Sequence, residues 1–210
     1  GTAAGIDLQF MDVVGSVTGH LLPTGNLRDC FDDVEVTCLD VAMPIVIARA
    51  DAFGLSGHET VEQLESNTDF MARMQAIRLV AGAAMGMGDV SSSVTPKFAL
   101  FAPAKNGGTI AARYFMPWQA HPSMAVTGAQ CLASCAALPG SIAEGLLVRP
   151  TTSPATITIE HPSGMINVIV DYACDDHIDD LGNAGGFTLR SAGLVRTARK
   201  LAAGTLFISS

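Results

Sequence analysis

The run His121-Pro122-Ser123-Met124-Ala125-Val126-Thr127-Gly128-Ala129-Gln130-Cys131-Leu132-Ala133 puts an imidazole and two hydroxyls at the head of an uncharged, alanine-rich stretch that continues to Leu138. That stretch predicts a short helix that is apolar all round and therefore buried. Pro122 suits the first helical position or its approach, and Ser123 is a candidate cap. The first amides of a helix lack partners within it, and the helix dipole adds partial positive charge there. A buried helix start flanked by His, Ser and Thr is thus a seat for a carboxylate or phosphate. An ordinary capped core helix has the same local pattern, and both readings stay open at this level.

A second group of polar residues lies near the beginning of the chain. Gly15-Ser16-Val17-Thr18-Gly19-His20 and Leu21-Leu22-Pro23-Thr24-Gly25-Asn26 read as turns with small side chains and free amides. An anion cradle is one use for them and a plain loop is the commoner one; the GxxxxGK[ST] nucleotide spacing is missing. Lys97, at a strand start, could meet an anion, although such a lysine is more often just exposed. The acidic run Asp175-Asp176-His177-Ile178-Asp179-Asp180 lacks calcium-loop spacing and reads as a solvated turn. Without a CxxC pair or an HExxH, no metal site is expected.

Composition limits the partners. Of 210 residues, 49% are hydrophobic and 15% charged, which suits a compact domain with a large core. Twenty acidic residues against twelve basic ones leave a net charge of -8, and no basic face for nucleic acid is visible. An acidic chain that binds an acid must therefore build its positive field locally. The five cysteines, Cys30, Cys38, Cys131, Cys135 and Cys174, are odd in number and irregular in spacing, which argues against a disulfide framework. Cys131 and Cys135 share one helical face and should pack as small hydrophobes. No signal peptide or membrane span is read, so a reduced cytoplasmic setting is expected. Gly1-Thr2-Ala3-Ala4-Gly5 lacks an initiator Met, and the chain is expected to be a piece of something longer.

Many short strands would have to position these groups. Alternation or β-branched runs predict strands at 6–14, 34–40, 45–50, 97–101, 109–115, 156–160, 165–171, 187–190, 194–198 and 204–208. Asn106-Gly107-Gly108 and His161-Pro162-Ser163-Gly164 are hairpin signals, which makes His161 a surface turn residue rather than a second catalytic histidine. Helical periodicity covers 60–67 and 68–85, with Phe70, Met74, Ile77 and Val80 or Ala81 on one side. Trp118, the sole tryptophan, either roofs a pocket or fills the core. The sum is α+β: an antiparallel, barrel-like sheet wrapped around the central apolar helix.

Leu21-Leu22-Pro23-Thr24-Gly25, Pro96-Lys97, His121 to Ala129, Glu160-His161-Pro162-Ser163-Gly164 and Val195-Arg196-Thr197-Ala198-Arg199 occur in the order found in PrpF-family proteins. In these motifs the chain resembles methylaconitate isomerases, aconitate delta-isomerases and 4-oxalomesaconate tautomerases. Arg113 to Pro117 are similar to the oxalomesaconate branch. The resemblance implies the diaminopimelate-epimerase-like fold of two similar domains with a cleft between them. It implies chemistry without a cofactor: a base removes an allylic proton beside carboxylates, and the proton returns two carbons along. The Lys and Cys that move the proton in this family sit in the first domain, whereas this chain resembles only the second. Residues 1–14 would then be the tail of the first domain and the crossover, 15–190 the second domain, and 191–210 closing strands that return to the first.

On this resemblance the chain supplies the carboxylate-binding wall for a small di- or tricarboxylate, and its partner is the missing N-terminal domain; a homodimer is compatible with it. The expected ligands are the amides and hydroxyls of Ser123, Met124, Thr127 and Gly128, with His121 as donor or auxiliary proton carrier. Gly15, Ser16 and Thr18 form a weaker second set. Two other classes compete: a non-catalytic carboxylate-binding or interaction module, and an amino-acid racemase. The racemase would need a thiol at the start of the second-domain helix, where this sequence has Ser123 to Val126.

Overall fold

A computed structural model describes residues 4–174, 186–205 and 207. The strands are β1 (Gly5–Met11), β2 (Asp29–Phe31), β3 (Val34–Asp40), β4 (Pro44–Arg49), β5 (Lys97–Ala102), β6 (Ile110–Phe115), β7 (Ala155–His161), β8 (Gly164–Cys174) and β9 (Phe187–Thr197). Among the described residues three α-helices join them: α1 (Val61–Ser66), α2 (Thr68–Ala84) and α3 (Val126–Ala137). Among the described residues the strands make one sheet in the order β1-β9-β8-β7-β6-β5-β4-β3-β2. Neighbours run antiparallel except at two seams, where β4 meets β5 and β6 meets β7 in parallel. Each seam follows from a crossover, since α1 and α2 separate β4 from β5 and α3 separates β6 from β7.

The sheet curls until its two ends meet. Val14 bridges Val41, and the Gly15 amide donates to the Asp40 carbonyl at 2.8 Å while the Ala42 amide donates to the Val13 carbonyl at 2.6 Å. Inside the curl lies α3, whose residues from Gly128 to Ala137 are all buried. Leu39, Ile45, Ile47, Phe101, Ile157 and Leu194 of the inner sheet face pack on its Ala, Cys and Leu side chains. This enclosure is why the helix needs no polar face. Its internal polar groups are satisfied: Gln130 Nε2 donates to the Ala192 carbonyl and Ser134 Oγ to the Gln130 carbonyl, both at 2.8 Å.

A second core lies on the outer face of the sheet. There Phe70, Met74, Ile77 and Ala81 of α2 cover Val46, Phe98, Leu100 and Phe115, and Val80 points to solvent. Thr60 and Gln63 cap α1 reciprocally, and Asn67 caps α2 by accepting from the Phe70 amide.

The structure departs from the sequence reading at several points. One continuous β9 replaces the two strands expected at 187–190 and 194–198. Gly193, between the two expected strands, serves a close strand approach, because a Cβ there would lie 2.2 Å from the Leu8 carbonyl oxygen. Residues 204, 205 and 207 are not strand; Leu206 and Ile208 of that expected strand, and the acidic run from Asp175 to Asp180, lie outside the described residues. Trp118 is half-exposed in the β6–α3 connection and belongs to neither core. No helix among the described residues is long and apolar enough to cross a membrane.

Candidate functional site

The head of α3 differs from the expected cap. Ala125 holds the N-cap position, with φ −69° and ψ 144°, and no side chain caps the helix. Ser123 stands two residues too early. Its amide instead donates to His121 Nδ1 at 3.0 Å, so the bond leaves His121 with its proton on Nε2, available as a donor. The His121 amide in turn donates to the Tyr114 carbonyl at 2.7 Å, which ties the approach to β6. Among the described residues no acceptor meets the amides of Val126, Thr127 or Gly128, and Ala129 is the first to donate within the helix, to Ala125 at 2.8 Å. These three amides and the dipole behind them make an electropositive end.

Side chains around this end leave it partly open. His121, Ser123 and Thr127 are half-buried, Met124 and Gly128 are buried, and Val126 is exposed. The Tyr114 ring lies against Gly128, where an added Cβ would come within 2.7 Å of its Cε2. Burial pushes the Tyr114 hydroxyl well above the usual phenol range. The His121 ring meets Tyr114 edge-on, with centroids 6.0 Å apart. Helix, histidine and tyrosine therefore form one assembly.

His161 ends β7 at a turn, as its sequence predicts, yet the turn is not remote from His121. Ser163 Oγ donates to the Pro122 carbonyl, and the Ser163 amide donates to His161 Nδ1 at 3.3 Å. Burial first, then the Arg113 guanidinium, and more weakly His121, hold His161 below the usual imidazole range. Strand alternation carried a signal for this: Ala155, Ile157 and Ile159 face the inner core, so His161 falls on the same face at the rim.

The loop after β1 is an amide nest already filled by the chain's own carboxylate. Asp40 is buried. It accepts from Ser16 Oγ at 2.6 Å, the Val17 amide at 2.9 Å, the Thr18 amide at 2.7 Å and Thr18 Oγ1 at 2.9 Å. The donors expected from Ser16 and Thr18 are thus engaged internally, and Gly15 bonds the Asp40 carbonyl through its amide. What remains of this set for a ligand is its shape rather than these donors.

A cavity of about 260 Å³ opens at the opposite end of α3, among Leu138, Pro139, Gly140, Glu144, Leu147 and Arg149. The helix presents its carbonyl end there, which disfavours an anion. The three buried cysteines also point away from thiol chemistry. Burial raises the thiols of Cys38 and Cys131 far above their usual range and pushes Cys135 up to about 12, the opposite of an activated thiolate.

A curled sheet that encloses an apolar helix and leaves the helix start uncapped beside two histidines defines an α+β domain of the diaminopimelate-epimerase-like fold. This fold is shared with a solved methylitaconate-delta-isomerase, at TM-score 0.81 and 27% identity over 97% of this chain and 55% of that one. The chain belongs to the PrpF family, whose model, described as PrpF protein, matches residues 1–209. YbhH of Escherichia coli is 42% identical over 208 residues, covering 99% of this chain and 56% of that protein. The 4-oxalomesaconate tautomerase of Pseudomonas putida is 39% identical over 208 residues, covering 99% of this chain and 54% of that protein. The chain therefore spans about half the length of the curated relatives it matches.

Proposed function

We propose that this chain is the carboxylate-binding half of a cofactor-independent isomerase that moves a proton allylically in unsaturated di- or tricarboxylates such as 4-oxalomesaconate, aconitate or 2-methylaconitate. The reaction breaks a C–H bond next to a conjugated acid. The electron pair spreads over the allylic system onto carboxylate oxygens, and a proton returns two carbons along as the double bond shifts. A carbon acid of this kind is weak, so the delocalised anion must be stabilised while the proton is in transit. The observation that carries the reading is the unanswered amide set at Val126, Thr127 and Gly128, at the start of an enclosed helix. Ser123, Met124, Thr127 and Gly128 line the carboxylate, and His121 donates through Nε2 or relays a proton. The principal Lys and Cys belong to the N-terminal domain, outside this chain.

Residues 1–14 and the closing segment 191–210 lead to that other domain, while Ala192 and Leu194 stay in the core of this one. In support, Ile6, Leu8 and Phe10 of β1 are 45%, 44% and 43% exposed, although they share a sheet face with the buried Leu194 and Ala192 opposite them. The test combines this chain with the remainder of the full-length protein and follows the ultraviolet absorbance of each acid. The expected result is a change with at least one acid, strongly reduced by His121→Ala. No change with any of the three acids defeats the proposal.

A further inference from the structure

Two of the chain's five histidines begin the same tripeptide, His121-Pro122-Ser123 and His161-Pro162-Ser163. The first leads into α3, and the second ends β7. Proline carries no amide hydrogen, so in each tripeptide the amide that turns back onto the ring is that of the serine. The Ser123 amide donates to His121 Nδ1 at 3.0 Å, and the Ser163 amide donates to His161 Nδ1 at 3.3 Å. A neutral imidazole has one nitrogen that accepts, and an imidazolium has none. Both bonds therefore require a neutral ring with its proton on Nε2.

The two turns are joined. Ser163 Oγ donates to the Pro122 carbonyl, so the second turn holds the middle residue of the first. Through Pro122 it fixes His121, whose own amide is bonded to the Tyr114 carbonyl. The surroundings keep His161 uncharged. Burial opposes a charge on its ring most, then the Arg113 guanidinium of β6, and more weakly His121 on the approach to α3; the Met165 backbone of β8 acts the other way, and the balance lies below the usual imidazole value of 6.5. Arg113 is itself fixed, donating to the Glu59 and Ala112 carbonyls. Glu160, next to His161 in β7, is occupied by the amides of Lys105, Asn106 and Gly108 and lies on the opposite face of the strand. An imidazole held low in the closed turn returns to its usual value when the turn opens. Closure is thus fully favoured above 6.5 and weakens as pH falls below it.

We propose that His161 is a positioning residue for His121: while neutral it keeps the β7–β8 turn closed on Pro122 and His121 held as an Nε2–H donor, and when it takes a proton at Nδ1 it expels the Ser163 amide and releases Pro122. The service of this latch to a ligand on α3 rests on the reading given above; the latch itself is a property of the two turns. The test is NMR of the histidine rings and backbone amides of the chain from about pH 8 to about pH 5, for wild type, His161→Gln and Ser163→Ala. At the alkaline end both rings should show the Nε2–H tautomer. In wild type the Ser123 amide shift should follow the titration of both rings, and in His161→Gln that of His121 alone. Ser163→Ala removes the hydroxyl from an exposed position and keeps the amide–ring bond. It should fold, keep the response of its own amide to His161, and lose the response of Ser123 to His161; coupling by charge through space would survive this substitution. A proton on Nδ1 of either ring at the alkaline end overturns the latch. So does a wild-type Ser123 amide that ignores His161, or a Ser163→Ala variant in which Ser123 still follows it. The ultraviolet assay is separate: a working latch without isomerisation defeats the isomerase reading alone, and isomerisation without the latch defeats the latch alone.

Discussion

Replacing Asp40 tests whether the loop after β1 is held by an internal anion. Asp40→Ala deletes the acceptor of four hydrogen bonds, from Ser16 Oγ, the Val17 amide, the Thr18 amide and Thr18 Oγ1. Bonds to a charged partner contribute about 1.5–3 kcal/mol each, but these do not simply add. Ser16 and Val17 are exposed, so water answers their donors in the variant; the two Thr18 donors, in a half-buried residue, carry most of the loss. The expected cost is about 2–4 kcal/mol, or roughly 5–15 °C in melting temperature for a domain of this size. Asp40→Asn keeps one oxygen to face the Val17 and Thr18 amides and should cost about 1–2 kcal/mol. Urea unfolding gives the energies, and amide hydrogen exchange locates them. Val17 and Thr18 should lose protection in Asp40→Ala, whereas Gly15, bonded to the Asp40 backbone carbonyl, should keep it. An Asp40→Ala variant within about 0.5 kcal/mol of wild type, or unchanged exchange at Val17 and Thr18, would refute the reasoning.

Two further substitutions probe the packing of α3 and the turn opposite it. Gly128→Ala would place a methyl 2.7 Å from the Tyr114 ring; it should destabilise by about 1–3 kcal/mol through overpacking and weaken carboxylate binding, as measured by chemical denaturation and calorimetry. Glu160 is buried, which alone would raise its carboxyl; the amides of Lys105, Gly108 and Asn106 outweigh this and hold it below its ordinary value of 4.5. A carboxyl depressed in the folded state contributes stability above the unfolded value that is lost as pH falls through the folded one. The wild type should therefore lose more stability than Glu160→Gln on acidification below about pH 5, and parallel urea midpoints across that range would count against the assignment.

The amino-acid order by itself determined the elements that depend on neighbours in the chain. The uncharged run after Met124 required an enclosed helix, because a surface helix needs a polar stripe. Asn106-Gly107-Gly108 and Pro162-Ser163 marked hairpins that form between β5 and β6 and between β7 and β8. The family motifs also pointed to the region around His121. Ser123 misled as a cap because the approach to α3 is fixed by bonds from His121 to Tyr114 and from Ser123 to the His121 ring, and Tyr114 lies on another element.

Tertiary structure decided whatever depends on register between distant segments. The two parallel seams required knowing which strand each crossover returns beside. The turn donors of Ser16 and Thr18 met Asp40, more than twenty residues away in the chain. His161 became a neighbour of His121 only when the β7–β8 turn closed on Pro122. A residue's type sets what it can donate, but how far the sheet curls sets what lies opposite it. That curl is settled by pairing and packing over the whole chain rather than by any local run.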